Sequence, residues 1–440
     1  MRYAREDQDV DICSAYINNT MRILIVTLFF AASVIYSVNS FRILGVFHMA
    51  AHSHHRLSDT ILKELAARGH EVTVITPYTE KKAVKNFKQV ILTGALEELE
   101  KSIPDLFEIT SANIIELIVS NDMLGLQLTE NTLNHTNVQK VLKSNEHFDL
   151  VIVEQFLNEA FRGFCHKFKA PCVVLSTVGG SRWTNQQIGN SEPPSYVPDM
   201  YLNLSSKMSF CERLYNSLVY LGATLFTHLY MFPKQNEILH RYFPDAPHLY
   251  DLYYNTSLIL LNSHVITNPA VPYMPNMVEI GGFHIKPPKK LPDYLQDYLD
   301  NAKEGVIYFS LGSVLESKNL PKEKRDVILK VLSKLKQKVL WKWEDETLSG
   351  KPSNVKISKW LPQQDILAHP NIKLFITHGG LLSTIETIYH GVPIVGIPVF
   401  GDQRMNVANA EIAGYGIGVS YQTLTEKALS SAFDEVLNNP

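Results

Sequence analysis

The sequence predicts an α/β protein built from two doubly wound parallel sheets, and three observations lead there. Short apolar runs rich in Val, Ile and Leu alternate with helix-period patterns in both halves of the chain, as buried parallel strands covered by helices require. A glycine-, proline- and lysine-rich stretch, 281–292, interrupts that beat and reads as a connection between domains. The 440 residues suffice for two or three cores at ~100–200 residues per domain.

The elements follow in order. After Met21 and Arg22 comes an uncharged apolar run, Ile23 to Val38, with a small and polar exit at Asn39 and Ser40. The run is shorter than the ~20 residues of a spanning helix, so 21–40 is expected to be a secretory signal peptide cleaved after Ser40. The acidic segment 1–20 does not suit the front of a signal peptide, and Met21 is the expected native start. Ile43 to Phe47, the helix Leu57 to Arg68 closed by Gly69, and Val72 to Thr76 then form a βαβ unit, with further buried strands at Leu150 to Val153 and Cys172 to Ser176. In the second half, strands are expected at Val306 to Phe309, Val339 to Trp343, Val355 to Ile357, Leu374 to Thr377, Ile394 to Ile397 and Gly416 to Ser420, with a lysine-rich helix over 321–337. The predicted domains are therefore 41–282 and 303–440, joined by a linker over 283–302. Facing sheets of this kind bind ligands in the crevice at the carboxyl ends of their strands.

Composition narrows the function. A formal charge of -3 from 41 basic and 44 acidic residues, with no long basic run, leaves no electrostatic footprint for nucleic acid. Without 1–40 the balance is 38 basic to 40 acidic, a charge of -2. Cysteines at 13, 165, 172 and 211 have neither CxxC nor zinc-ribbon spacing. In a secreted chain one bridge among Cys165, Cys172 and Cys211 is open, as is a core role for Cys165 and Cys172. Asn134, Asn203 and Asn255 each precede a hydroxyl residue by two positions, the pattern of a glycosylation acceptor. The stretch Leu214 to Phe232 carries no charge, but Ser217, Thr224 and His228 recur at helical spacing, so a core or interfacial helix is expected rather than a span.

The chemistry concentrates between Trp360 and Ala410. There Trp360-Leu-Pro-Gln363 precedes a strand, and His378-Gly379-Gly380 lies between that strand and a helix. Two glycines at such a junction let backbone N–H groups approach an anion, and the helix N-terminus adds roughly half a positive charge. This block resembles the signature of the UDP-glycosyltransferases, with insect-type members most similar, and a looser resemblance runs from Phe41 to the end.

The resemblance implies a GT-B fold with the active site in the cleft between two Rossmann-like domains. It further implies that Trp360 stacks on uracil, Gln363 holds base and ribose, His378 contacts phosphate beside Gly379 and Gly380, Glu386 binds ribose, and Asp402 and Gln403 bind the sugar. Ser313, in the similar Phe309-Ser-Leu-Gly-Ser313 segment, belongs to the phosphate side, and Ser383 to the donor site. Each residue also has a plainer reading. Trp360 fits a core aromatic and Gln363 an exposed first-turn residue, Ser383 and Glu386 have the spacing of a capping box, and Asp402 suits a helix N-cap. Leu381 and Leu382 depart from many relatives, which carry a polar residue there.

The second constellation is His48, His52, His54 and His55 in the loop after the first strand. Four close histidines invite a zinc reading, but the loop has no cysteine or carboxylate to complete a site, and no metal or other cofactor is expected. The resemblance selects His54 as general base. Its partner is an Asp in the family and Glu154 here, with Asp149 and Glu159 as the alternatives.

The expected activity is inverting transfer of a hexose from a UDP-sugar, UDP-glucose preferred and UDP-glucuronic acid the alternative, to a hydroxyl of a small lipophilic acceptor. A catalytically impaired UDP-sugar-binding protein is the rival, motivated by Glu154, Leu381, Leu382 and the end of the chain at Pro440, and a sugar-nucleotide epimerase is a more distant one. The resemblance also implies the lumen of the endoplasmic reticulum and a membrane anchor beyond Pro440, and it leaves homo-oligomerisation open.

Overall fold

A computed structural model describes Met21, 40–102, 106–107, 113–268 and 270–438. The described fold lies in one compact unit, Arg42–Pro440. The apolar run 23–38, the extension 1–20 and Cys13 lie outside the described residues, and both sheets belong to that unit.

The first sheet contains β1 (Arg42–Val46), β2 (Glu71–Thr76), β3 (Phe87–Ile91), β4 (Leu150–Gln155), β5 (Cys172–Ser176), β6 (Leu258–Leu261) and β7 (Met277–Glu279), in the order β3-β2-β1-β4-β5-β6-β7. The second contains β8 (Val306–Ser310), β9 (Lys338–Lys342), β10 (Val355–Ser358), β11 (Ile372–Thr377), β12 (Ile394–Gly396) and β13 (Gly416–Gly418), in the order β10-β9-β8-β11-β12-β13. Every pairing is parallel. Strand order reverses between β1 and β4 in one sheet and between β8 and β11 in the other, and doubly wound sheets open their ligand crevice at such a reversal.

The apolar runs become strands because they are covered on both faces. Leu44, Val46, Val151 and Val153 of β1 and β4 pack with Phe161 and Phe164, while Ile43 and Ile152 face Leu57 and Leu62 of the opposite layer. In the second sheet Ile307, Phe309, Trp341 and Leu374 form one layer and Val306, Tyr308, Leu340 and Phe375 the other. Strands β3, β6 and β7 escape the apolar-run criterion because they are short or, like Phe87-Lys-Gln-Val-Ile91, mostly half-exposed or exposed.

Three expectations change on folding. The stretch 283–302 contains the helix Asp293–Asp300, whose Leu295 and Leu299 pack into the core of the second sheet, so this part is domain rather than connection. The helix after β1 spans His52–Ala67, so His52, His54 and His55 stand on its first turn instead of in a loop. The lysine-rich helix ends at Leu332, well before 337.

Leu214 to Phe232 lies within a continuous helical segment, Phe210–Phe226 followed by a π turn, Thr227–Met231, and the helix Phe232–Tyr242. Among the described residues no helix is long and apolar enough to cross a membrane. Cys165 and Cys172 form a disulfide with a Cα–Cα distance of 5.5 Å, and Cys211 is free and exposed. Asn134, Asn203 and Asn255 are all exposed.

The layers of the two sheets touch. Leu382 packs against the cluster of Ile43, Phe47 and Leu57, which accounts for a leucine where a polar residue was expected. Asn409 donates to the Thr267 carbonyl at 3.3 Å, and the connecting stretch is tied to the second domain where Lys289 donates its backbone N–H to Asp365 at 2.8 Å.

Candidate active site

At the reversal of the first sheet, the segment after β1 meets the end of β4. His54 donates from Nδ1 to Glu154 Oε1 at 2.5 Å. Glu154 is fully buried, and its second oxygen accepts the Met49 N–H at 3.3 Å and lies 3.4 Å from His48 Nδ1. Burial pushes the Glu154 carboxyl up, but the charge of His54 and the hydrogen bonds of His48 and His54 outweigh it and hold the pKa at about 2. An ionised carboxylate at Nδ1 holds the ring proton there, which in the neutral ring leaves the lone pair on His54 Nε2. The alternative acids are engaged elsewhere: Asp149 lies at the start of β4, where it accepts the Arg42 N–H at 2.7 Å, and Glu159 accepts from Gln155 at 3.2 Å. Phe156 packs edge-on to His54 with ring centroids 5.1 Å apart and meets Trp183 at 6.1 Å, which in turn meets Tyr201 at 6.2 Å.

At the reversal of the second sheet, β8 runs into Gly312 and Ser313, and β11 runs into His378, Gly379 and Gly380 before the helix Leu381–His390. The His378 ring fits between two glycines. A Cβ on Gly380 would stand 2.5 Å from its Nε2, and one on Gly312 only 2.7 Å away. Gly379 and Gly312 have φ of 82° and 90°, which side chains other than glycine rarely adopt. The helix N-cap Gly380 has no side-chain capping bond, so the first-turn N–H groups are open to an anion.

Burial, reinforced by the Lys342 charge, lowers the His378 pKa from 6.5 to about 4. The unfolded chain therefore binds a proton that the native state refuses between those values, and stability is full above about pH 6.5 and falls as pH drops toward 4. Urea midpoints across this range are expected to show that slope, and His378→Asn to flatten it.

Gln363, Ser383 and Glu386 join in one network. Gln363 Nε2 donates to Glu386 Oε2 at 2.6 Å and to Ser383 Oγ at 3.0 Å, while Gln364 Nε2 donates to Glu386 Oε1 at 2.7 Å. Arg56 Nη1, from the first domain, lies 3.7 Å from Glu386 Oε1, and His284 Nε2 lies 3.6 Å away. Burial raises the Glu386 carboxyl, but these donors and the Arg56 charge bring its pKa below the ordinary value. The capping-box reading fails for Ser383 and Glu386, which lie inside the helix that starts at Leu381, whereas Asp402 does stand at the N-cap of the helix Gln403–Ala413 but makes no side-chain cap bond. Asp402 Oδ2 instead accepts from Asn406 Nδ2 at 2.9 Å, and Asn406 also donates to the Gly379 carbonyl at 2.9 Å. Burial raises the Asp402 pKa against the opposing influence of Asn406 and the His54 charge. Gln403 is buried and its Oε1 accepts the Val399 and Phe400 N–H groups at 2.8 and 3.0 Å, so its carbonyl braces its own loop.

Trp360 is 63% exposed, which removes the core reading. Its ring lies 6.1 Å from His52 across the domains and 5.9 Å from Lys342 Nζ. Gln363 is not an exposed first-turn residue, since its amide is spent in the network. Sequence reasoning missed Lys342, Gln364, Arg56, His284 and Asn406. Gln364 had a signal, the doubled glutamine after Pro362, whereas Lys342 is one lysine among many until the end of β9 sets it near His378. The fold also supplies the carboxylates missing from the histidine-rich segment: His55, Asp59 and Glu80 approach one another within 4.8 Å. Lys63 Nζ already stands 2.8 Å from both acids, and His55 stacks on Tyr78.

The arrangement sets a histidine–carboxylate pair at one sheet's strand-order reversal and a glycine-lined helix start at the other's, and known proteins are similar along the length of the chain. A family model described as UDP-glucoronosyl and UDP-glucosyl transferase matches residues 44–440. UDP-glycosyltransferase UGT5 of Dactylopius coccus is 37% identical over 407 residues, 91% of this chain and 77% of that protein. UDP-glucosyltransferase 2 of the same species is 34% identical over 426 residues, 95% of this chain and 81% of that protein. UDP-glucuronosyltransferase 2C1 of Oryctolagus cuniculus is 30% identical over 405 residues, 86% and 79% of the two chains. Among solved structures, the glycotransferase of kitacinnamycin superposes with a TM-score of 0.60 at 17% identity and LpCGTa in complex with UDP with 0.55 at 17%, each pair covering 91% of both chains. The two-sheet architecture is thus the GT-B fold, and the chain belongs to the UDP-glucoronosyl and UDP-glucosyl transferase family as a UDP-glycosyltransferase.

Proposed function

We propose that this enzyme transfers glucose from UDP-glucose to a hydroxyl of a small lipophilic acceptor, inverting the anomeric centre. The observation that carries the reading is that the His54–Glu154 pair and the His378 glycine cradle stand at the strand-order reversals of two sheets whose layers touch at Arg56 and Glu386. Nε2 of His54 takes the acceptor proton as the acceptor oxygen attacks the anomeric carbon from the face opposite UDP. The bond to the diphosphate oxygen breaks, and an α-linked donor yields a β-linked product. Charge growing on UDP meets the backbone N–H groups around Gly379 and Gly380, the helix N-terminus, His378 and Lys342, with Ser313 on the same side. This reading assigns no metal to the site.

Trp360 offers its exposed face to uracil, the Gln363–Glu386 network faces the ribose, and Asp402 with the free end of Gln403 faces the sugar. Trp360→Ala is expected to weaken UDP binding about 10- to 100-fold, the loss of one base–aromatic stack of about 1–3 kcal/mol, with an unchanged unfolding midpoint. Calorimetry and urea unfolding check both halves. Glucose is preferred to glucuronic acid because one relative, 34% identical, is named a glucosyltransferase. The Cys165–Cys172 bridge and three exposed glycosylation triplets support an oxidising compartment, the lumen of the endoplasmic reticulum. A panel of UDP-sugars with phenolic acceptors, followed by mass spectrometry, tests the whole. Glucose transfer is expected, and UDP binding with no transfer from any donor would leave only the binding-protein reading.

A further inference from the structure

A second buried histidine flanks the carboxylate that serves His54. His48 lies in the short segment between β1 and the first helix, its side chain is fully buried, and its imidazole meets the Phe161 ring edge-on at 4.9 Å. Phe161 offers no polar atom. Among the described residues the ring nitrogens of His48 make no hydrogen bond of ordinary geometry, but Nδ1 does reach Glu154 Oε2, at a stretched 3.4 Å.

The two oxygens of Glu154 are thus held differently. Oε1 has His54 Nδ1 at 2.5 Å, whereas Oε2 has the Met49 N–H at 3.3 Å and His48 Nδ1 at 3.4 Å. The two contacts on Oε2 come from consecutive residues and both are long, so neither alone satisfies a carboxylate that burial strips of water. An unpaired carboxylate oxygen in such a place costs more than an unpaired imidazole nitrogen, and the His48 proton therefore belongs on Nδ1, toward the charge. A side chain one methylene shorter than Glu154 would draw back by about 1.5 Å and lose its hold on one histidine or the other. The surroundings add little charge. Tyr78, whose hydroxyl is pushed up to about 12 by burial and by the Glu154 charge, stays neutral, and Asp402 of the second domain, itself raised by burial, interacts with the His54 charge.

We propose that His48 is a positioning residue of the transfer reaction: its Nδ1–H holds Oε2 of Glu154, so that Oε1 stays on His54 while His54 gains and loses the acceptor proton. This rests on the reading of His54 as the base. Fully buried, His48 acts through Glu154. Without a donor on Oε2 the carboxylate is destabilised more when His54 is neutral than when His54 carries a proton, because the imidazolium then neutralises it. Loss of His48 therefore favours the protonated pair, and the base is lost at a higher pH.

The test uses the full chain with two variants, His48→Phe, which keeps the ring contact and removes the donor, and His48→Asn, whose amide N–H takes the place of Nδ1–H. In His48→Phe the acid limb of kcat for transfer from UDP-glucose to a water-soluble phenol is expected to move up by about one pH unit, a tenfold change in the proton affinity of the pair, and kcat at pH 7 to fall about 10-fold. KM for UDP-glucose stays unchanged in both variants, and His48→Asn returns the limb and kcat toward native values. The ring titration of His54, followed by NMR of the histidine-labelled chain and assigned through His54→Ala, is expected to show the same shift with no turnover needed. A limb and a ring titration that do not move in His48→Phe would overturn the proposal. So would equal losses in His48→Phe and His48→Asn, which would make His48 a packing residue only. The native chain supplies a readout that survives a failure of His48→Phe to fold: its ¹⁵N spectra, assigned through His48→Asn, are expected to show His48 protonated on Nδ1, and a bare Nδ1 would overturn the proposal. Absence of transfer from UDP-glucose by the native chain would count against the proposed function alone, because the ring titration reports the hold of His48 on Glu154 without turnover.

Discussion

Replacing His54 by alanine is expected to lower kcat by about 10³-fold, in the middle of the range that a positioned general base contributes. The site retains its donor contacts in that variant, so UDP affinity should stay within about threefold. Turnover within a factor of ten of the native enzyme would sink the assignment. Glu154→Gln tests the partner separately, because a neutral amide still fills the space but no longer stabilises the imidazolium, and a kcat loss of about 10²-fold is expected. The same substitution has a signature in stability. The Glu154 pKa, about 2 in the folded chain against 4.5 for the free group, makes its stabilisation complete above about pH 4.5. That stabilisation disappears as pH falls toward 2, a change of about 3 kcal/mol. Unfolding of Glu154→Gln should lack this part of the acid dependence.

Glu386→Ala is expected to destabilise the fold by about 3 kcal/mol and to weaken UDP binding at least 10-fold. The carboxylate is 1% exposed and accepts from the amides of Gln363 and Gln364 at 2.6 and 2.7 Å. Alanine would take one acceptor from each amide, leaving half-buried Gln363 with Ser383 and buried Gln364 with only the His284 carbonyl at 3.4 Å, a loss of about 1–3 kcal/mol for a buried donor, and would open a cavity beside them. Arg56, 3.7 Å away on the other domain, would lose its nearest acid. Chemical unfolding and calorimetry separate the effects. Full native stability would mean that the network is reorganised by water, whereas lost stability with unchanged UDP affinity would make Glu386 a structural node only.

Much of the fold was legible because parallel strands buried on both faces must be apolar throughout. Ile43 to Phe47 and Leu374 to Thr377 could be placed to within two residues of β1 and β11. Strands β3 and β7 could not, since Lys88, Gln89 and Glu279 interrupt the pattern where the edge of the sheet meets solvent. The proposed donor site could be located in the sequence for a similar local reason. Trp360, Gln363, His378, Glu386 and Asp402 all lie within 43 consecutive residues, and a strand–turn–helix reading orders them without knowledge of anything distant.

Contacts between remote segments were beyond that reach. Glu154 sits 100 residues from His54, and no periodicity states that a glutamate's extra methylene will close to 2.5 Å rather than overshoot. The first turn His52 to His55 is helical although no side chain caps it, so there was no start signal to move the histidines out of a loop. Cys165 rather than Cys211 pairs with Cys172 because the helix Arg162–Phe168 returns to β5 within the same core cluster.

What the sequence determined alone is the α/β class, two doubly wound sheets and a glycine-lined strand-to-helix turn after β11, since burial periodicity and glycine's backbone freedom act within a few residues. What tertiary structure decided is which carboxylate serves His54, that Glu386 is a buried acceptor for two glutamines rather than a helix cap, and that Lys342 stands behind His378. Each of these depends on energies of packing and desolvation between surfaces far apart in the chain, and those energies exist only once the surfaces meet.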